Sequence, residues 1–245
     1  MKQFIIDFQK RVAEIEKYFD LVDKIENLGV VSTNSIIFPS GEYIVDSDLQ
    51  KILKSHCYLL LYNLIESSIR NGIVAIHDAI SLERLTYKDL SPKIKMIWLG
   101  NDKGKSFIDS FFDSSMQNKK QVVKDNLANK LKDLLESVMD NTEISLSIEN
   151  IPISGNLDSK TIEGLKNMYG FNGVGQLPKK EIDPILNKVV KLRCDLAHGN
   201  YSFSEVSNVI LWHEIVDEKN KIVEHLTKIL QNIDNYIEEK KYKQN

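Results

Sequence analysis

The chain has little cysteine, proline or glycine, no long apolar run and no excess of positive charge. Its two cysteines, Cys57 and Cys194, lie far apart and form no Cys-x-x-Cys unit. That excludes a disulfide scaffold and fits a reducing, cytoplasmic setting. Five prolines and eleven glycines in 245 residues are too few for a turn-rich β architecture and favour helices. The longest apolar run, around Cys57 to Leu61, is far short of the ~20 residues that span a bilayer. The opening MKQFIIDFQKRVAEIEK has Asp7 within its short apolar stretch and no small-residue cleavage site, so it does not read as a signal peptide. A net charge of −3 gives no global attraction to a polyanion. Any nucleic-acid contact must come from a local patch or from a cleft formed on dimerisation. Repeats and low-complexity segments are absent.

What is present is helical periodicity. Hydrophobic content of 42% suits a globular chain with a buried core. Residues 3–28 carry Phe4, Phe8, Val12, Ile15, Phe19, Val22 and Ile25 at three-and-four spacing, and Gly29 ends that helix. VVSTNSIIFPSGEYIV changes character. It is β-branched, and Pro39-Ser40-Gly41 is a turn signal, so a small hairpin or extended excursion is expected. Residues 48–85 read as one long helix with Leu49, Ile52, Leu53, His56, Leu60, Asn63, Leu64, Ser67 and Asn71 on or near one side. Within it Glu66 and Arg70 are four apart, a spacing that allows a surface ion pair. Ser91 and Pro92 start a short helix. Further helices are expected over 117–139, with Val122, Leu127, Leu131, Leu134, Leu135 and Val138 as its face, and over 159–168. EISLSIENIPISGN alternates and suits a strand or extended linker. Ser204 is a plausible cap for a last helix running to about Lys240, with His213 among the residues of its apolar side. The expected division is an N-terminal helix-and-hairpin extension, residues 1–47, packed on a helical domain, residues 48–245.

Several familiar chemistries are excluded by spacing. Gly100 to Ser106 (GNDKGKS) is one residue short of a phosphate loop and follows no strand. YGFNGVGQLP lacks the Gly-x-Gly-x-x-Gly order. His213-Glu214 begins like a zinc protease, but Asp217 stands where the second histidine belongs. Cys194 and His198 are four apart and could pair on one helix face, but no further ligand cluster supports a metal and no third member completes a triad. No cofactor is expected. His56, His77 and His225 fall within helices and read as packed or solvated.

The remaining stretch is KLRCDLAHGN, residues 191–200. It closes an apolar helix that begins near Ile182, with Leu186, Val189, Val190, Leu196 and Ala197 as the expected buried face. Arg193 falls on that face, where an arginine is costly unless it is paired or lines a cavity. His198 follows five residues later, before a Gly199-Asn200 helix stop. Five residues turn ~140° on an ideal helix, so the two side chains do not stack, though they can border one cleft where the helix ends. Histidine exchanges a proton near neutral pH, its unperturbed pKa being ~6.5. Arginine stays charged and grips phosphate oxygens with a planar fork.

These residues resemble the signature of the HEPN ribonucleases: an arginine, a polar residue soon after it, and a histidine after four to six intervening residues. Here the order is Arg193, Cys194-Asp195-Leu196-Ala197, His198. LRCDLAHGNYSFSEV, the earlier LLYNLIESSIRNGI and the intervening SGNLDSKTIEGLKNMYGF all look like segments of the MAE-type branch, so the resemblance spans roughly residues 50–240. It departs at Cys194, where many relatives are polar; Asp195 is the polar residue here. The resemblance implies an all-α bundle of HEPN type, usually dimeric, with two Arg-His motifs meeting in a composite cleft. It implies RNA as substrate, with its own 2′-hydroxyl as nucleophile and no metal. His198 would move a proton, Arg193 would stabilise the phosphorane, Asp195 would orient one of them, and Glu66 would line the cleft. It further implies a toxin or an antiphage effector, with an antitoxin or defence-system partner and no membrane. One toxin group has a tyrosine two residues after the histidine; Tyr201 is three after, so that role is not carried over. Against this stand two other readings. One is a non-catalytic HEPN module in which Arg193 pairs with a carboxylate such as Glu66 and His198 caps the helix. The other is a helical interaction protein.

Overall fold

The computed structural model describes residues 2–27, 35–101, 120–146, 151, 153, 156–172, 175, 177–207 and 210–244. Among them are eight helices and one two-stranded hairpin: α1 Gln3–Glu26, β1 Ser35–Phe38, β2 Gly41–Ile44, α2 Ser47–Leu82, α3 Pro92–Asn101, α4 Lys120–Met139, α5 Ser159–Tyr169, α6 Lys179–Ala197, the single turn α7 Phe203–Val206, and α8 Trp212–Glu238. The expected all-α architecture with a small N-terminal hairpin is what the chain adopts. In the hairpin Ser35 pairs with Ile44 and Phe38 with Gly41, antiparallel, around a Pro39-Ser40 turn. Gly41, at φ 137°, takes a backbone conformation that side chains avoid. The phosphate-loop-like GNDKGKS runs from Gly100 and Asn101 into residues 102–106, outside the described residues.

The chain divides into two compact units. The first contains residues 1–69, 156–160 and 174–230. In it α1 buries Phe4, Phe8, Ile15, Phe19, Val22 and Ile25, the periodic set of the sequence apart from the half-buried Val12. Polar contacts join α1 to α8: the Trp212 indole N–H donates to Asp23 at 2.7 Å, and Lys219 reaches both Glu16 oxygens at 2.6 and 2.7 Å. The Tyr18 hydroxyl donates to the Leu53 carbonyl of α2 at 3.0 Å. The His56 ring stacks on Phe203 at 4.6 Å, and the Ser207 hydroxyl donates to the Lys51 carbonyl at 2.7 Å.

The second unit contains residues 70–155, 161–173 and 231–245. Its core includes Ile73, Ile76, Ile80, Leu90, Trp98, Leu165 and Tyr169, all nearly inaccessible to solvent. His77 is buried with Nε2 2.8 Å from the Tyr169 hydroxyl, and the Tyr236 hydroxyl donates to the Tyr169 carbonyl at 2.9 Å. Burial pushes the His77 pKa down to about 4. Glu83 gathers Lys243, the Tyr242 hydroxyl and Lys240, and these partners, Lys243 foremost, pull its carboxyl down to about 2.

Several expectations are corrected. The buried stripe of α2 is Cys57, Tyr58, Leu61, Tyr62, Ile65 and Ile69, one step around the helix from the Leu60–Asn63–Ser67 side, and Asn63 is exposed. Tyrosines, apolar in all but one atom, share this burial with the aliphatic residues. Of the two readings of EISLSIENIPISGN, the described residues take the extended linker, with one isolated bridge, Glu143 with Thr86, and no strand among them. Ser202, not Ser204, is the helix cap: its hydroxyl accepts from the Glu205 N–H while the Glu205 carboxylate accepts from the Ser202 N–H. This capping box belongs to the single turn α7, and the long last helix starts only at Trp212. On that helix His213 is exposed rather than on the apolar side. In α4, Leu131 and Leu135 are exposed and Leu134 and Val138 half-buried.

Candidate active site

The site is built on the C-terminal half of α6. Ile182, Leu186, Val189, Val190 and Leu196 are buried, while Ala197, expected inside, is exposed. The helix ends as its Gly-Asn pair predicts. Gly199 sits at φ 69°, its N–H bonds the Leu196 carbonyl at 3.3 Å, and the Asn200 N–H bonds the Asp195 carbonyl at 2.9 Å. That is a Schellman closure, which an L residue with a side chain enters only under strain. It leaves His198 as the cap residue that follows the helix, exposed, with φ −93° and ψ 0°.

Arg193 is half-buried. Its guanidinium carbon lies 4.5 Å from the Tyr62 ring centre, and Nη1 donates to Asn156 Oδ1 at 3.3 Å. Nη1 also lies 4.0 Å from the Cys194 sulfur. None of these partners is a carboxylate, so the pairing of Arg193 with Glu66 expected of an inert bundle residue is not what this chain makes. Nε and Nη2 have no acceptor among the described residues. A guanidinium lying on a ring face and held at one corner keeps its other donors for a phosphate or carboxylate.

Beneath Arg193 the polar contacts continue into α2. Tyr62 is buried, four residues before the half-buried Glu66 on the same helix. Burial first, and the negative charge of Glu66 second, raise the pKa of that phenol above its ordinary value. Tyr62 is therefore a neutral phenol. Ser159 ties the same segment to α6, its N–H donating to Asn187 Oδ1 at 3.3 Å. One turn toward the α2 N-terminus, the Tyr58 hydroxyl donates to Glu218 at 3.1 Å, and Lys188 bonds the other Glu218 oxygen at 2.7 Å.

The structure therefore brings together Arg193 and, through Tyr62, Glu66. It does not join Asp195 to either Arg193 or His198: Asp195 Oδ1 accepts from the Asn200 side chain at 3.2 Å and reinforces the helix end. Tyr62 and Asn156 are contributors that the sequence reading missed. The available signal was Tyr58, Tyr62 and Glu66 at four-residue intervals, which place three polar-tipped side chains on one stripe of α2. Asn156 lies in a segment without helical or strand periodicity, and its sequence carries no signal for an arginine contact. The three stretches that meet here, around Tyr62, Asn156 and Arg193, fall within the three that carry the family resemblance.

A family model described as MAE_28990-like HEPN matches residues 1–242. No curated protein and no solved structure matches the chain.

Proposed function

The chain belongs to the MAE_28990-like HEPN family, and from that premise we propose that it is a metal-independent endoribonuclease. HEPN membership suggests a nuclease or RNA-binding module; the chemistry of Arg193 and His198 favours the nuclease. The observation that carries the reading is the guanidinium of Arg193, fixed at one corner with donors to spare, on the same helix as an exposed histidine at its end. On an ideal helix five residues rise ~7.5 Å, within the reach of two long side chains bordering one phosphodiester.

In this reading His198 takes the proton of the RNA 2′-hydroxyl as that oxygen attacks the adjacent phosphorus. Arg193 stabilises the charge that develops on the phosphorane oxygens. The P–O5′ bond breaks, the 5′-oxygen takes a proton, and the products are a 2′,3′-cyclic phosphate and a 5′-hydroxyl. Pairing of two chains would place a second His198 beside the first site, one histidine for each proton transfer. A role as a toxin or antiphage effector, held in check by an antitoxin or defence-system partner, fits this activity. The alternative is a non-catalytic RNA-binding or protein-interaction module. It draws on one observation: Asp195 is engaged by Asn200, so within one chain it does not orient His198.

The test is to incubate the purified chain with RNA in EDTA and map the new ends. Cyclic-phosphate and 5′-hydroxyl ends are expected. Fragments with 3′-hydroxyl and 5′-phosphate ends contradict the mechanism, and retention of intact RNA favours the binding module.

A further inference from the structure

We propose that Tyr62 and Asn156 are positioning residues that hold the Arg193 guanidinium in one orientation, ready for a phosphate; this rests on the ribonuclease reading.

Three observations carry it. First, the guanidinium lies over the Tyr62 ring at 4.5 Å, and Asn156 Oδ1 accepts from Nη1 at 3.3 Å. A ring face restricts the plane of the group and one hydrogen bond restricts its rotation within that plane. Together they remove freedom that an arginine otherwise loses on meeting its ligand. Second, the ring is itself fixed. Tyr62 is 2% exposed, so the packing around it holds the ring in place. Third, Leu157 is adjacent to Asn156 and fully buried, which anchors the segment that supplies the guanidinium acceptor.

The arrangement also sets which way the cation points. The bond to Asn156 uses Nη1, while Nε and Nη2 have no described acceptor. Those two nitrogens share one edge of the guanidinium, the edge that makes paired hydrogen bonds to two oxygens of one phosphate. Because the role is orientation, its loss falls on turnover more than on substrate binding.

The experiment compares wild type with Arg193→Ala, Tyr62→Phe, Tyr62→Leu and Asn156→Ala. It measures kcat and KM for RNA cleavage, the melting temperature, and the Arg193 side-chain proton resonances. The resonances are assigned by their loss in Arg193→Ala. Expected results are a kcat about tenfold lower in Tyr62→Leu and a few-fold lower in Asn156→Ala, with KM changed less than about twofold. Tyr62→Phe, which keeps the ring, recovers most of the rate. The Arg193 side-chain protons are shifted upfield by the ring in wild type and Tyr62→Phe and return to ordinary positions in Tyr62→Leu. Asn156 is exposed, so its variant stays folded and keeps the test decisive if Tyr62→Leu does not fold. Wild-type rates in Asn156→Ala and in a folded Tyr62→Leu, or Arg193 resonances without the upfield shift in wild type, with Arg193→Ala inactive, overturn the positioning role and leave the ribonuclease reading standing. Equal cleavage by wild type and Arg193→Ala, or none by wild type, overturns both.

Discussion

Arg193 shows how much one residue discloses from sequence. A charged side chain due on an apolar face announces either a partner or a cavity, and the structure gives a partner of a particular kind. An aromatic face and an amide oxygen hold the cation without neutralising it. The sequence could not name them, because Tyr62 and Asn156 lie far from Arg193 along the chain and neither is charged. Arg193→Lys is expected to reduce cleavage about a hundredfold, since an ammonium cannot present a paired edge to phosphate; steady-state rates check it. His77 is the opposite case, a histidine read as packed or solvated and found packed. Its folded pKa of about 4 lies below the ~6.5 of an unfolded histidine. The unfolded chain thus binds more protons between those values, so stability is fully present above pH ~6.5 and is lost as pH falls toward 4. The expected loss between pH 7 and pH 5 is about 2 kcal/mol. Urea unfolding at the two pH values checks it, and His77→Gln should lose correspondingly less.

At the scale of elements, helix ends were legible and helix faces less so. The Gly199-Asn200 stop appears where its residues predict, because a positive φ favours glycine and leaves a local trace. Gly199→Ala is expected to cost about 1 kcal/mol, or ~2–4 °C in melting temperature, and to disturb the placement of His198. A larger fall in cleavage than in stability would separate the two effects. The one-turn helix after the site depends on reciprocal bonds between Ser202 and Glu205, and Ser202→Ala should remove about 1 kcal/mol by the same measurement. The face of α2 was misread because apolar residues run around much of the helix, Leu61, Ile65 and Ile69 joining Tyr58, Tyr62 and Cys57, and of the expected side Leu64 is buried while Asn63 is exposed. EISLSIENIPISGN left strand and extended linker open, because alternation specifies a strand only where a neighbouring strand exists to pair with.

For the whole molecule, the family and the helical class were legible, since both are written in long periodic segments and in three ordered stretches of sequence. The association of chains is a property the sequence states only through resemblance. A dimer built around two Arg193–His198 motifs predicts a sedimentation mass near twice 28.1 kDa. Among the described residues no helix is long and apolar enough to cross a membrane. The central claim is that Arg193 and His198 together cut RNA. It is tested most directly by comparing wild type, Arg193→Ala and His198→Ala on one RNA in EDTA at matched fold and concentration. The account predicts cleavage by wild type, with each variant at least about a hundredfold slower. Cleavage by all three at equal rates would contradict it.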